Sequence, residues 1–214
     1  MENNIIRVGV FGGRRGCAYI KCLKYVDNVR VTAICDKEEK RRNDAVAACE
    51  YQTDVTPVVF YDYEDFITSG LFDALILCNY FNEHAAVAIR ALGMGIHVFS
   101  ETIAAATMAE CVALCRAAEK SNAIYQLAEN YPFTRGTLEM KRLYEGGTLG
   151  KVIFAEGEYV HPMSPSETRQ YTGAAVNGQF HWRRYLPATY YCWYTLRNPG
   201  LPALIESKNC SRTQ

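Results

Sequence analysis

The chain has 214 residues, 49% apolar and 21% charged, which suits one soluble domain of ordinary size plus part of another. Lys plus Arg equals Asp plus Glu at 23 each, with no long run of one sign, which argues against a nucleic-acid partner. No apolar stretch approaches the roughly 20 residues of a membrane helix, and the N-terminus carries no signal-peptide pattern, so a cytoplasmic protein without a membrane partner is expected.

An apolar β-type run, Ile5 to Phe11, opens the chain and empties into a glycine-rich turn within V-G-V-F-G-G-R-R-G, Val8–Gly16. Helix-like spacing follows at Tyr19, Leu23 and Val26. A strand that ends in glycines at a helix start suits a phosphate, because free backbone N–H groups and the helix dipole converge there. The dinucleotide fingerprint G-x-G-x-x-G places its glycines at offsets 0, 2 and 5, whereas Gly12, Gly13 and Gly16 fall at 0, 1 and 4. The turn is one residue short and holds Arg14 and Arg15. Two readings of these arginines stand: a bidentate clamp on a pyrophosphate, or side chains directed to solvent.

Further strands are predicted at Val29–Cys35, Val58–Phe60, Asp73–Cys78, Ile96–Ser100 and Ile124–Ala128. They are short apolar runs rather than alternations, as expected of a sheet covered on both faces. The second run leads into Asp36, twenty residues after Gly16. A carboxylate there accepts hydrogen bonds from the ribose hydroxyls of NAD and repels the 2′-phosphate of NADP. The other reading is a cap on the following helix. With the glycine turn the cofactor reading is the stronger, and NAD is favoured over NADP, although Lys37, Arg41 and Arg42 keep NADP in view.

Helices are predicted at Glu83–Leu92, stopped by Gly93 and Gly95, and at Thr107–Lys120, which opens with the capping box Thr107/Glu110. The apolar face of the latter reads Met108, Cys111, Val112, Cys115 and Ala118. Alternating strands and helices imply a doubly wound parallel sheet, with its ligand crevice at the carboxyl ends of the strands. The nine cysteines show no C-x-x-C, and the four histidines form no ligand-spaced cluster with them. Reduced, mostly buried thiols are therefore expected, and no metal.

Beyond about residue 130 the pattern changes. A helix at Thr137–Glu145 and a strand at Lys151–His161 precede a Ser/Pro/Thr/Gly-rich loop, Pro162–Gly178, and then an aromatic-heavy segment. One strand and one uncertain segment do not close a sheet. The expected fold class is thus α/β: an N-terminal Rossmann domain at 1–130, then an incomplete α+β domain at 131–214.

The order of V-G-V-F-G-G-R-R-G, V-T-A-I-C-D, D-A-L-I-L-C-N-Y-F-N-E-H, A-L-G-M-G-I-H-V-F-S-E-T, A-E-N-Y-P-F and G-T-L-G-K-V-I-F-A-E-G-E-Y resembles the glucose–fructose oxidoreductase/inositol dehydrogenase family, Gfo/Idh/MocA. The likeness is unbroken over residues 5 to about 160 and looser to about 196. It implies a Rossmann domain followed by an α/β domain with a mostly antiparallel sheet, and oxidation or reduction of a sugar, polyol or related small molecule with NAD(P). By this resemblance Asn79 and Tyr80 would line the cofactor, and His84 would start the next helix as an orienting or capping residue. Glu101 would lie beside the nicotinamide end, with Asn130 close to it at the domain junction.

Departures from the family are equally specific. Glu101-Thr102-Ile103 replaces the usual Glu-Lys-Pro, so Thr102 brings no positive charge where the resemblance implies a lysine near the nicotinamide. The family's acid/base histidine aligns with Tyr194, whose ordinary pKa of about 10 is poorly matched to neutral pH. His181 is the nearby alternative proton acceptor, set against the ordinary case of a surface histidine. The match fails from Arg197 onward, a pattern that a natural truncation, a frameshift or a cropped chain would each produce. The expected function is hydride transfer between NAD(P) and a sugar-like alcohol. A glycosidase that oxidises its substrate transiently is a variant, and a non-catalytic dinucleotide-binding protein is the alternative. Apolar surface left by the short second domain predicts a homo-oligomer.

Overall fold

Strand β1 (Ile6–Phe11) passes into helix α1 (Gly13–Leu23), and β2 (Val29–Cys35), α2 (Glu39–Ala47), β3 (Val58–Phe60) and α3 (Tyr63–Ile67) follow. The chain then forms β4 (Ala74–Leu77), α4 (His84–Gly93), β5 (His97–Ser100), α5 (Met108–Lys120) and β6 (Tyr125–Leu127). The structure, a computed structural model, describes residues 5–154. The backbone divides after Ala128 into two units. In the second, a 3-10 turn at Tyr131–Phe133 leads to α6 (Arg135–Glu145), whose N-cap Thr134 accepts from the Thr137 amide at 3.3 Å.

The six strands of the first unit form one sheet in the order β3-β2-β1-β4-β5-β6, and every pairing is parallel. The chain builds outward from β1 to β3, then returns to the other side of β1 to lay down β4 to β6. The switch point, where a doubly wound sheet opens a crevice, therefore falls between β1 and β4. On one face Ile20 of α1 and Ala45 of α2 pack with Val8, Val10, Val31, Ile34 and Ile76. On the other, α3, α4 and α5 bury Phe66, Val87, Leu92 and Leu114 against Leu75, Leu77 and Val98. Phe66 stacks on Phe72 with ring centroids 4.6 Å apart.

The β1–β2 register skips one residue: Val8 pairs with Val31 but Gly9 pairs with Ala33. Thr32 is the extra residue, a β-bulge, and its hydroxyl donates to the Leu71 carbonyl at 2.7 Å. Because of the bulge, Val31 and Ile34 point to the same pair of helices although three positions separate them.

All six strands lie where the apolar runs place them, within two residues at each end. The differences lie in the helices. α1 stops at Leu23, so Val26 is beyond it and 43% exposed. α5 keeps the predicted start, with the Thr107/Glu110 capping box formed. Its buried side, however, is Leu114 flanked by Cys111, Ala117 and Ala118, while Met108, Val112 and Cys115 are exposed. Apolar residues occupy more than one face of this helix, and the sheet selects the stripe with the small alanines. The expectation of mostly buried thiols is corrected in the same way. Cys35, Cys49 and Cys78 are buried, and burial pushes the Cys35 and Cys49 thiols up to about 12. Cys22 and Cys115 lie on outward helix faces and are exposed. Of the predicted strand Lys151–His161, residues 151–154 show no strand, and the rest lies outside the described residues. So do the loop at 162–178 and the aromatic segment.

Candidate site at the switch point

The carboxyl ends of β1, β2, β4 and β5 bring together four pieces of chain: Gly12–Gly16, Asp36, Cys78–Tyr80 and Glu101–Ile103. Gly12 joins β1 to α1 with φ 99°, a backbone conformation that side-chain-bearing residues rarely adopt. A Cβ on Gly12 would meet the Cys78 carbonyl oxygen at 2.5 Å, and one on Gly13 would meet the Arg41 carbonyl oxygen at 2.7 Å. On Gly16 it would meet Val10 Cγ1 at 2.5 Å. The three glycines thus hold the turn against β4, α2 and β1 in that order. The shortened spacing still makes a close-packed strand-to-helix turn.

Asp36 is 8% exposed, and one carboxylate oxygen accepts the Gly13 amide at 2.7 Å while the other accepts the Glu38 amide at 2.9 Å. The capping reading is met by the bond to the backbone that enters α2, and the same side chain also ties the end of β2 to the glycine turn. Each oxygen keeps a second lone pair for a ribose hydroxyl. The cations named with it are placed differently. Arg41 pairs with Glu38 at 2.8 Å, and Arg42 donates to the Asp36 carbonyl at 2.8 Å and the Lys37 carbonyl at 3.1 Å. Lys37 is exposed.

α1 has no side-chain cap and no acidic residue in its first turn. Gly13 already donates to Asp36, which leaves the Arg14 and Arg15 amides as the anion-receptive end of the helix. The Arg14 side chain is exposed. The Arg15 guanidinium donates through Nε to Glu101 and lies over the Tyr19 ring, 5.3 Å from its centroid. The Tyr19 hydroxyl donates to the other Glu101 oxygen at 2.7 Å, and the Thr102 amide donates to that same oxygen at 3.2 Å. Burial first, and then the bond to Glu101, hold the Tyr19 phenol well above its ordinary value, so it stays a donor. Tyr19 appears in the sequence only as one apolar step of a helix. Its place four residues after Arg15, on the same helix face, is the signal that links them.

Asn79 donates to Glu83 at 2.7 Å, and its side-chain oxygen is buried without a hydrogen-bond partner. Tyr80 is 39% exposed at the turn before α4, and Thr102 is buried at 4% exposure. His84 is closed off from solvent, at 0% exposure. Its Nδ1 lies 2.8 Å from the Ile103 carbonyl and its Nε2 3.3 Å from the Asn79 carbonyl, so it spans the loops after β4 and β5 as an orienting residue. Asn130 belongs to the second unit, at the N-cap position of the Tyr131–Phe133 turn but without a side-chain capping bond. His181 and Tyr194 lie outside the described residues.

Burial lowers the His84 pKa below the ordinary 6.5. The unfolded chain therefore takes up a proton on this imidazole at a pH where the native chain does not. Its contribution to stability is complete above pH 6.5 and is lost as the pH falls toward the folded value. Thermal melts at pH 7 and at about pH 5.5 are expected to show a drop in Tm, and the drop to be smaller in His84→Gln. An equal drop in both chains would remove His84 as its source.

A family model described as an oxidoreductase family with an NAD-binding Rossmann fold matches residues 6–129. Among curated proteins, a glycosyl hydrolase family 109 protein of Shewanella sp. strain W3-18-1 is 27% identical over 92% of the chain and 42% of its own length. The chain thus spans less than half of the curated relatives it matches. Among solved structures, the WlbA dehydrogenase of Bordetella pertussis, in complex with NADH and UDP-GlcNAcA, aligns with TM-score 0.61 and 23% identity. That alignment covers 69% of this chain and 44% of that one. The myo-inositol dehydrogenase of Lactobacillus casei, in complex with NAD(H) and myo-inositol, aligns with TM-score 0.59 and 22% identity over 68% of this chain and 43% of that one.

Proposed function

The chain belongs to the Gfo/Idh/MocA oxidoreductase family, with its NAD-binding Rossmann fold, and from that premise we propose that it binds NAD for hydride transfer to or from a sugar, polyol or related hydroxy compound. The observation that carries the reading is the junction of Asp36 with the Gly13 amide, at the open N-terminus of α1 and at the switch point of the sheet. The residues fit the cofactor. The uncapped amides of Arg14 and Arg15 receive the pyrophosphate, and Asp36 accepts the adenosine ribose hydroxyls. Asn79, Tyr80, Glu101, Thr102 and Asn130 are assigned to the nicotinamide half. When bound, the nicotinamide supplies the hydride acceptor. His84 holds the loops after β4 and β5, and the substrate hydroxyl proton is assigned to His181 or Tyr194.

The buried Asp36 carboxylate supports NAD over NADP, as does the engagement of Arg41 by Glu38 and of Arg42 by backbone carbonyls rather than by a free anion site. The similarity to the Shewanella family 109 proteins supports the variant in which the oxidation is transient and serves glycosidic cleavage. The absence of a lysine at Thr102 supports the other reading, a dinucleotide-binding protein without turnover. A cytoplasmic homo-oligomer belongs to the same proposal. Calorimetric titration is the test. Saturable NAD binding is expected, with NADP weaker by about tenfold, or 1.4 kcal/mol, or more, whereas no saturation at millimolar NAD overturns the reading. NADH formation across a panel of sugars, polyols and glycosides then separates the enzyme from the silent binder.

A further inference from the structure

Glu101 and Arg15 stand 86 residues apart in the chain. Their ion pair bridges the turn after β1 and the loop after β5, on either side of β4, along the edge where a bound dinucleotide would lie. The two partners are held unequally. Glu101 is 12% exposed and accepts from Tyr19 and from the Thr102 amide as well as from Arg15. Arg15 is 48% exposed, and Glu101 is its hydrogen-bonding partner through Nε. If the arginine swings away, Oε2 of the carboxylate keeps both of its donors, the Tyr19 hydroxyl and the Thr102 amide, so the anion stays hydrogen-bonded in place. If the carboxylate left, Tyr19 and Thr102 would each lose an acceptor. The arginine is therefore the member that can move, and its own position in the first turn of α1 puts it beside the uncapped amides.

We propose that the Arg15–Glu101 pair is a latch across the dinucleotide crevice, in which Arg15 rests on Glu101 in the free protein and transfers its guanidinium to the pyrophosphate in the complex. This rests on the reading of the crevice as a dinucleotide site. Tyr19 is the fixed side of the latch: its hydroxyl and the Thr102 amide keep Glu101 in place while the guanidinium exchanges one oxyanion for another. The exchange is charge-conserving, since a carboxylate and a phosphate oxygen are both acceptors for the same fork. The closed state subtracts from affinity, because a ligand that needs the open state sees only the fraction of molecules that are open.

Calorimetry with NAD on the native chain, E101Q, R15A and the R15A/E101Q double variant tests this, with melting temperatures confirming that each is folded. E101Q is expected to bind NAD about five- to tenfold more tightly, by removing the closed state. R15A is expected to bind about tenfold more weakly, by losing a charge-assisted bond to phosphate. In the R15A background the gain from E101Q is expected to vanish, which separates a latch from a long-range relief of repulsion between Glu101 and the ligand's phosphates. Native-chain binding that E101Q leaves unchanged or weakens, or an E101Q gain that persists without Arg15, overturns the latch and leaves the dinucleotide reading standing. No saturable NAD binding by the native chain overturns both.

Discussion

Gly12→Ala is expected to abolish saturable NAD binding and to lower the melting temperature by about 10 °C. Two costs combine. A φ of 99° lies in territory that an alanine occupies only with strain, on the order of 1–3 kcal/mol. The new Cβ also has nowhere to go, since the nearest atoms are the Cys78 carbonyl oxygen at 2.5 Å, its carbon at 2.6 Å and the Asn79 amide nitrogen at 2.8 Å. All three are backbone atoms of the strand-to-loop passage after β4, so relief requires β1 and β4 to part. Overpacking of this kind costs about 1–3 kcal/mol more. A total near 4 kcal/mol corresponds to about 10 °C in a chain of this size. Because the displaced backbone is the floor of the crevice, binding suffers beyond the stability loss. Differential scanning calorimetry and NAD titration read the two effects. A variant that melts and binds like the native chain would mean that the turn is not packed as described.

Asp36→Ala is expected to weaken NAD binding by about two orders of magnitude, while its stability loss stays near 2 kcal/mol. The structural cost falls mainly on the Gly13 amide, which is buried and loses its only named acceptor, a loss of about 1–3 kcal/mol. The Glu38 amide is at an exposed residue, where water replaces the carboxylate. The binding cost is larger, because two hydroxyl bonds to an ionised acceptor are lost at about 1.5–3 kcal/mol each. NADP is expected to lose far less, having no bond to that carboxylate and a repulsion from it, so the NAD-to-NADP preference narrows or inverts. Paired titrations of both dinucleotides check it. Unchanged NAD affinity would remove the ribose from Asp36 and reduce the residue to the backbone role it has in the free chain.

The sheet was legible because each strand is a short apolar run buried on two faces, and such runs stand out against polar connections. The doubly wound order followed from the alternation of strands and helices. α2 and α3 gave no comparable signal. α2 has Ala45 as its single fully buried residue, and α3 is five residues long and held by the Asp62 cap. α5 presents apolar residues on two faces, so periodicity finds the helix and leaves its rotation open until the sheet selects Leu114. At the site, the glycines and Asp36 were legible because backbone geometry demands those residue types near those positions. The bond between Asp36 and Gly13 was not, since the sequence offers a cap and a cofactor ligand as alternatives and gives no signal that the same carboxylate holds the glycine turn. Arg15, Tyr19 and Glu101 meet only through the sheet, and no local pattern spans that separation.

Thr32 gives the β2 strand an odd residue, and its effect reaches the far end of that strand. A strand presents alternate side chains to alternate faces, so one residue taken up in a bulge shifts the odd–even numbering of every position after it. Upstream of Thr32 the odd-numbered Val29 and Val31 face α1 and α2; downstream it is the even-numbered Ile34 that does so, and Asp36 shares its parity. Deleting Thr32 would leave a regular strand in which Val31 is followed directly by Ala33, and the pairs from Gly9–Ala33 to Phe11–Cys35, with the face of Asp36, would be unchanged; the bulge is what lets an extra residue enter β2 without moving the carboxylate from Gly13. The acid that meets the turn stands at residue 36, and the bulge four residues earlier absorbs the odd residue so that its carboxylate keeps that address.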